Sequence, residues 1–375
     1  MNLDKNKVVV AMSGGVDSSV AAILLQKNGY DVIGMTMKLW NFLEVGGNVN
    51  QESGCCSIDS FNDARNICVS HHIPYYLVNF SQQFHKDVIE NFIREYLNGR
   101  TPNPCVLCNT KIKWETFLNK AAELGAHYMA TGHYARVKFN ENTGRYELHR
   151  GKDDNKDQSY ALWGLKQESL ARTLFPLGEL TKPEVRQLAD EYGLVTAKKP
   201  ESQEICFVQD NNYGRFLKEQ VDGLEQKVKD GPIITVDGKL VGRHKGYPFY
   251  TIGQRRGLGV SFSRPMYVVE IIPESNTIVI GDKEDLEVPG LIATGINLIK
   301  YDRITDLLRA RIKIRYNDDG AMGTVRQTDD DTLEIMFDEP RRAVTPGQSV
   351  VFYGGDEVIG GGIIERKVIS VKKAN

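Results

Sequence analysis

The sequence predicts an α/β protein: a doubly wound parallel sheet, then a small, mostly β middle domain, then a C-terminal β-barrel. Three observations carry that reading. Strand-like apolar runs and amphipathic helix-like runs alternate through the first half of the chain. From Gly231 onward the pattern changes to short alternating runs separated by turn residues. A chain of 375 residues also exceeds what one ordinary hydrophobic core organises, so it divides.

In the first half, residues 8–12 form a continuous apolar run of the kind buried in a parallel sheet. Residues 18–28 read as an amphipathic helix closed by Gly29, and 32–37 as a second strand. A helix over 59–70, a strand over 75–80 and a helix over 84–97 follow. Residues 111–124 read as a helix ended by Gly125, and 128–131 as the fourth strand. This order is that of a parallel, doubly wound sheet. In the second half the strand candidates are 233–236, 265–272, 277–280, 310–316, 332–337, 350–353 and 358–364. Turns such as Asp318-Asp319-Gly320 and Gly354-Gly355-Asp356 separate them. The expected division is 1–208 for the α/β domain, 209–284 for the linking domain and 285–375 for the barrel.

Composition excludes several classes. Hydrophobic content of 41% with charged content of 26% is that of a soluble globular chain rather than a disordered or fibrous one. No apolar run approaches the roughly 20 residues that span a bilayer. Residues 1–7 are polar and lack a secretory apolar stretch, which points to the cytoplasm. A net charge of −2 gives no global sign of a nucleic-acid partner, so an RNA site has to be a local basic surface. In a reducing compartment the cysteines are expected to be buried, metal-binding or catalytic rather than bridged. Cys55 and Cys56 are adjacent and cannot easily face one ligand together, and Cys68 lies in a helical apolar pattern; all three read as structural. His71 and His72, at a helix end before Pro74, read as surface or capping residues.

The strongest chemical signal is Ser13-Gly14-Gly15-Val16-Asp17-Ser18-Ser19, after a strand and at the start of a helix. Two glycines permit torsions that turn successive N–H groups to one point, and the helix N-terminus adds unpaired N–H groups and partial positive charge. The result is a phosphate cradle. Ser18 and Ser19 add hydroxyls, and Asp17 is placed to hold a magnesium ion beside the phosphates. The loop lacks the Gly-Lys-Ser/Thr ending of a Walker A loop, so it suits gripping pyrophosphate as a leaving group. The plainer alternative is a Ser/Asp cap after a glycine turn.

The heptad resembles the pyrophosphate (PP) loop of the ATP-pyrophosphatase superfamily, with its adenine nucleotide alpha-hydrolase-like fold. Further segments narrow the resemblance. Thr101-Pro102-Asn103-Pro104-Cys105-Val106-Leu107-Cys108-Asn109, Ala130-Thr131-Gly132-His133-Tyr134, Lys156-Asp157-Gln158-Ser159-Tyr160 and Glu204-Ile205-Cys206-Phe207 together are similar to the bacterial tRNA-specific 2-thiouridylases. So are Gly253-Gln254-Arg255-Arg256-Gly257-Leu258-Gly259 and Thr345-Pro346-Gly347-Gln348-Ser349. The match runs from about Lys7 to Arg366.

The resemblance implies an enzyme that activates the C2 oxygen of a tRNA wobble uridine with ATP and replaces it with sulfur. The tRNAs would be those reading Lys, Glu and Gln codons, and the products 2-thiouridine, AMP and pyrophosphate. ATP and magnesium are the implied cofactors. The implied partners are tRNA and a sulfur donor, either a cysteine desulfurase or a sulfur-relay carrier, with no membrane involved. Ala11, Met12, Ser13, Gly14, Gly15, Val16, Asp17 and Ser18 would hold the phosphates. Met37 and Gly132 would contact the nucleotide at the carboxyl ends of the strands, where open α/β sheets bind ligands. Asn103, Pro104 and Cys105 would meet the target base. His133, Lys156, Asp157, Gln158, Arg315, Tyr316 and Gln348 would contact tRNA. Cys206 would carry a persulfide and Cys108 would resolve it.

Several alternatives stay open. By residue type alone, Met37 is a core residue and Cys206 a small buried hydrophobe. Lys198, Lys199 and Pro200 suggest instead an exposed loop with positive charge near the thiol. Many family members carry Asp where this chain has Cys105, which leaves the acid or base at the target base open. Cys105-x-x-Cys108 also reads as a redox dithiol, or as part of an iron–sulfur site with Cys206 or with Cys55 and Cys56. The persulfide reading is preferred. Another adenylating sulfurtransferase or amide-forming ligase, and a nucleotide sensor without chemistry, are the other functional classes. Two basic surfaces are candidates for the RNA backbone. Residues 238–269 carry Lys239, Arg243, Lys245, Arg255, Arg256 and Arg264 with no acidic residue. In 309–316, Arg309, Arg311, Lys313 and Arg315 alternate with apolar residues, which on a strand puts the cations on one face. Such faces are also often merely solvated.

Overall fold

A computed structural model describes residues 3–41, 45–46, 57–198, 205–208 and 210–369. Cys55, Cys56, Lys199, Pro200 and Glu204, and the side chain of Lys198, lie outside the described residues. The fold is the expected one: a parallel sheet with helices, then two β domains. The chain clusters into two compact units, 1–89 with 105–211 and 356–359, and 90–104 with 212–355 and 360–375.

The first unit is built on five parallel strands in the order β3-β2-β1-β4-β7. They are β1 (Asp4–Ala11), β2 (Asp31–Lys38), β3 (Tyr75–Asn79), β4 (Ala126–Ala130) and β7 (Thr173–Leu174). β1 lies in the middle, and its Val8, Val9 and Val10 are fully buried, which explains its uninterrupted apolar run. Helix α1 (Val16–Lys27) and helix α2 (Ile58–Ser70) return the chain between strands. Val20, Ala21 and Ala22 of α1 and Ala64, Ile67 and Cys68 of α2 join β1 in one apolar cluster. Cys68 is packed there, and burial pushes its thiol up to about 12. The reading of Cys68 as structural agrees with this position. Later in the unit come an antiparallel hairpin, β5 (Ala135–Asn140) with β6 (Arg145–Arg150), and helix α3 (Lys182–Glu191).

The helix expected over 111–124 is longer. It begins at Pro104 and runs to Glu123, and its middle, Cys108–Phe117, is π-wound. Pro104 opens it because a proline lacks the N–H that the first turn leaves unpaired.

The second unit contains a four-stranded sheet and a barrel. The sheet orders as β10 (Tyr267–Ile272), β11 (Thr277–Gly281), β8 (Gly231–Thr235) and β9 (Leu240–His244). The barrel uses β12 (Glu287–Leu298), β13 (Leu308–Lys313), β14 (Ala321–Asp329), β15 (Thr332–Arg342), β16 (Ser349–Gly354) and β17 (Glu357–Val368), and β12 pairing with β17 closes it. Closure leaves these strands no unpaired edge. Residues 90–104 belong to this unit although they precede it by more than a hundred positions. Phe92 packs on Phe216, Tyr96 stacks on Tyr213 with centroids 4.7 Å apart, and the Tyr247 hydroxyl donates to the Leu97 carbonyl at 2.6 Å.

Candidate active site

The glycine-rich heptad connects β1 to α1, as its sequence requires. Gly14 has φ of +70°, and a Cβ there would stand 2.2 Å from the Ser60 carbonyl oxygen. Glycine is therefore needed for both torsion and space. The serines lock the turn. Ser18 Oγ accepts from the Ser13 amide at 3.1 Å, and Ser19 Oγ donates to the Gly15 carbonyl at 2.8 Å. Gly132, at the carboxyl end of β4, lies against the same turn: a Cβ there would approach the Ser18 amide nitrogen to 2.8 Å. These constraints fix where the amides of the loop stand before any ligand arrives.

A cleft of about 240 Å³ opens over the carboxyl ends of β1, β2 and β4. Ala11, Met12, Ser13, Asp17, Ser18, Met37 and Gly132 line it, together with Leu39, Lys113, Thr131, His133 and Gln158. Met37 is half-buried in that lining rather than in the core. Among the described residues, the lining includes neither Cys108 nor Cys206.

Two residues given no role in the sequence reading hold Asp17. Lys182 is buried, and its ammonium donates to both carboxylate oxygens of Asp17, at 2.7 and 2.8 Å. The Tyr134 hydroxyl donates to the same carboxylate at 2.8 Å. A cation thus stands beside a loop that has no Walker lysine of its own, delivered from the first turn of α3. The local signal for that helix is Thr181-Lys182-Pro183-Glu184: a capping box with proline near the start. The Glu184 carboxylate accepts from the Thr181 amide at 2.6 Å and its hydroxyl at 2.8 Å. Among the described residues, Asp17 is the acidic side chain of the cleft lining.

His133, also in the lining, is clamped between two partners. The Lys113 ammonium has only donors, so His133 Nε2, 3.4 Å away, accepts. Nδ1 then carries the proton and donates to Thr131 Oγ at 2.7 Å. Burial and the Lys113 charge push the His133 imidazole well below its ordinary range, so it is neutral at physiological pH.

The remaining sequence candidates divide by environment. Asp157 is buried and accepts from the amides of Gly151 and Ser159 and from the Arg150 guanidinium, so it organises its own loop. Gln158 Oε1 accepts from the Tyr134 amide at 3.0 Å. Cys105 is exposed, whereas Cys108 and Cys206 are half-buried thiols not bridged to one another. Cys108 opens the π-wound segment and Cys206 lies in a turn followed by buried Phe207. Among the described residues, no three His, Cys, Asp or Glu side chains converge as a metal site. Arg315 and Tyr316 are exposed just beyond β13. Asn103 and Gln348 are half-buried, and the Gln348 carboxamide donates to the Thr101 and Pro102 carbonyls. Among the described residues, no helix is long and apolar enough to cross a membrane.

Comparisons with known proteins cover almost the whole chain. Residues 6–210 match a family described as the tRNA methyl transferase HUP domain. Residues 215–282 match the tRNA methyl transferase PRC-barrel domain, and 288–364 the aminomethyltransferase beta-barrel domain. A tRNA-specific 2-thiouridylase MnmA of Salinibacter ruber is 55% identical over 96% of this chain and 94% of its own. One from Carboxydothermus hydrogenoformans is 51% identical over 98% and 99%. One from Clostridioides difficile is 49% identical over 96% and 99%.

Proposed function

Because this chain belongs to the tRNA-specific 2-thiouridylase family, we propose that it thiolates the wobble uridine of tRNA at C2, using ATP and a cysteine persulfide. It is a tRNA sulfurtransferase of the PP-loop type. The observation that carries the finer reading is the cleft over β1 and β4. It is lined by residues of the fixed loop, by Asp17, whose carboxylate the buried Lys182 holds, and by Met37 and His133.

The chemistry follows from what uridine lacks. Its C2 oxygen is a poor leaving group. Attack of that oxygen on the α-phosphorus of ATP forms a C2–O–AMP bond and expels pyrophosphate. The loop amides and Lys182 stabilise charge on the departing pyrophosphate, and Asp17 would hold the magnesium that accompanies it. C2 is then electrophilic and AMP is a good leaving group. The terminal sulfur of a Cys206 persulfide attacks C2, and AMP departs. The Cys108 thiolate attacks the Cys206 sulfur, the S–S bond breaks, and its electron pair stays on the sulfur bound to C2 as thiouridine. A Cys108–Cys206 disulfide remains, which an external thiol must reduce before the next cycle. Asn103, Pro104 and Cys105 meet the extruded base. His133, Lys156, Asp157, Gln158, Arg315 and Tyr316 serve the tRNA side, Asp157 through the loop it organises.

The test is mass spectrometry of tRNA after incubation with enzyme, ATP and a persulfide source, with pyrophosphate followed in parallel. The expected result is 2-thiouridine at the wobble position and pyrophosphate release that requires tRNA. Pyrophosphate release without RNA, or unmodified tRNA alongside AMP, would overturn this reading.

A further inference from the structure

We infer that Gln348 and Gly347 act as a clamp that positions the base-facing segment 101–104, and that Gln348 serves the reaction through this clamp rather than by touching tRNA. The inference rests on the proposed function, which places Asn103 and Pro104 against the target base.

The segment is stiff by sequence. Pro102 and Pro104 fix their own φ, and each restricts the residue before it, so Thr101 and Asn103 are held extended. Two of the four positions have no N–H. Such a strap needs its carbonyls held from outside, and the turn Thr345–Gln348 holds them. Gln348 Nε2 donates to the Thr101 carbonyl at 2.8 Å and to the Pro102 carbonyl at 3.2 Å, which uses both of its N–H bonds. The Thr101 amide donates to the Pro346 carbonyl at 2.9 Å. Gly347 is buried with φ of +91°, and a Cβ on it would stand 2.9–3.0 Å from the Thr101 backbone. The turn is itself fixed to β17: the Gly347 amide donates to the Ile364 carbonyl at 2.9 Å, and the Ile364 amide to the Gln348 carbonyl at 2.8 Å. Arg100, immediately before the strap, is held by Glu95 and Glu365, both at 2.7 Å. Every one of these groups belongs to the second unit. The barrel therefore sets the position of the segment that precedes Cys105 and Cys108.

The experiment compares Gln348→Ala, Gln348→Glu, Gln348→Lys and Gly347→Ala in the full chain. Glu keeps the length and an acceptor but loses both donors; Lys keeps a donor within reach of both carbonyls. Gly347→Ala removes no group that a tRNA touches. For Gln348→Ala, Gln348→Glu and Gly347→Ala the expected result is tRNA-dependent AMP formation at saturating tRNA lowered about 10- to 100-fold, the loss that misplacement by an ångström brings. tRNA Kd and its salt slope should stay within twofold for Gln348→Ala and Gly347→Ala. Hydrogen exchange of the Thr101 amide should quicken in all three, and Gln348→Lys should recover rate and protection together. A contact role for Gln348 gives the opposite split: a weakened Kd, a normal saturating rate and a silent Gly347→Ala. That split, or unchanged Thr101 exchange in folded variants, overturns the clamp. Wild-type enzyme that makes no 2-thiouridine would instead overturn the proposed function, and the exchange measurement would still report on the clamp.

Discussion

Gly14 shows how much chemistry one missing side chain permits. Its left-handed torsion costs a non-glycine residue roughly 1–2 kcal/mol, and the added Cβ would collide with the backbone of Ser60. Gly14→Ala is expected to leave the sheet intact yet lower AMP formation by about 100-fold or more, because the loop amides are displaced from the phosphates; a stopped-flow pyrophosphate assay checks this. The loop was legible in sequence because its members are consecutive and each has a mechanical reason to be there. Lys182 was not, because its partner Asp17 lies 165 positions away and a lone lysine carries no signal. Its helix cap was readable, but not its ion pair with Asp17. Lys182→Met keeps the stem and removes the charge; it should lower AMP formation by about 10²–10³ while tRNA Kd is unchanged, the magnitude of losing one aimed donor. Wild-type AMP formation in that variant would remove lysine from the phosphate site. The two imidazoles whose surroundings disfavour the charged form also set an acid limit. His244 donates from Nε2 to the Asn276 carbonyl at 2.9 Å and accepts on Nδ1 from the Gly246 amide at 3.0 Å. Burial lowers the pKa of both His133 and His244. The unfolded chain therefore takes up protons first as pH falls below about 6.5. Stability is complete above that pH and is lost below it, by about 1.4 kcal/mol per unit of depression for each histidine. Thermal melts between pH 7.5 and 5 are expected to show a falling Tm, with a shallower fall in His244→Gln.

At the scale of elements, the sequence was clearest where periodicity reports burial. In β13, Ala310 and Ile312 are buried while Arg309 and Arg311 are exposed, the alternation that a half-buried strand demands. The strand stops at Lys313, earlier than expected, because Asp318 captures the Ile314 amide at 2.9 Å and the Gly320 amide at 3.1 Å and turns the chain. Arg315 and Tyr316 are left exposed in that turn. The hairpin β5–β6 was missed although Asn142-Thr143-Gly144 marks its turn, and the π winding at Cys108 has no periodic signature to find. The cations of this face are not equivalent. Arg309 is already paired with Asp338 through two contacts of 2.6 and 2.7 Å. Arg315→Ala and Arg255→Ala are each expected to weaken tRNA binding and to reduce the salt slope by about one unit, as loss of one phosphate contact requires. Arg309→Ala should change it less, since Asp338 already compensates that charge. Filter binding from low to moderate salt decides; affinity and slope that stay at wild-type values in Arg315→Ala and Arg255→Ala would mean those surfaces are only solvated.

At the scale of the whole molecule, three family models follow one another along the chain, yet the contacts sort residues into two units that cross that order. The alternation of strands and helices, and then of short strands, was enough to read the architecture. The attachment of 90–104 to the β unit was not readable, since it depends on aromatic packing between distant segments such as Tyr96 on Tyr213. The same non-locality governs sulfur. Cys108 and Cys206 become a pair only through the fold or a moving loop, so their roles must be separated by function. In the persulfide scheme Cys206→Ser stops sulfur loading, and no persulfide forms at that position. Cys108→Ser still loads Cys206 but cannot resolve the C2–S–S link, so turnover is lost while the loaded form accumulates. Adenylation survives both changes, because the phosphate loop contains no cysteine. Cys105→Ser is expected to reduce activity without abolishing it, since the persulfide scheme gives Cys105 no sulfur to carry. An iron–sulfur scheme predicts a different pattern: each of the three substitutions would remove iron and activity together. Metal analysis of anaerobically purified protein, with persulfide trapping on every variant, separates the two. Stoichiometric iron that disappears on changing any of the three cysteines would overturn the assigned roles.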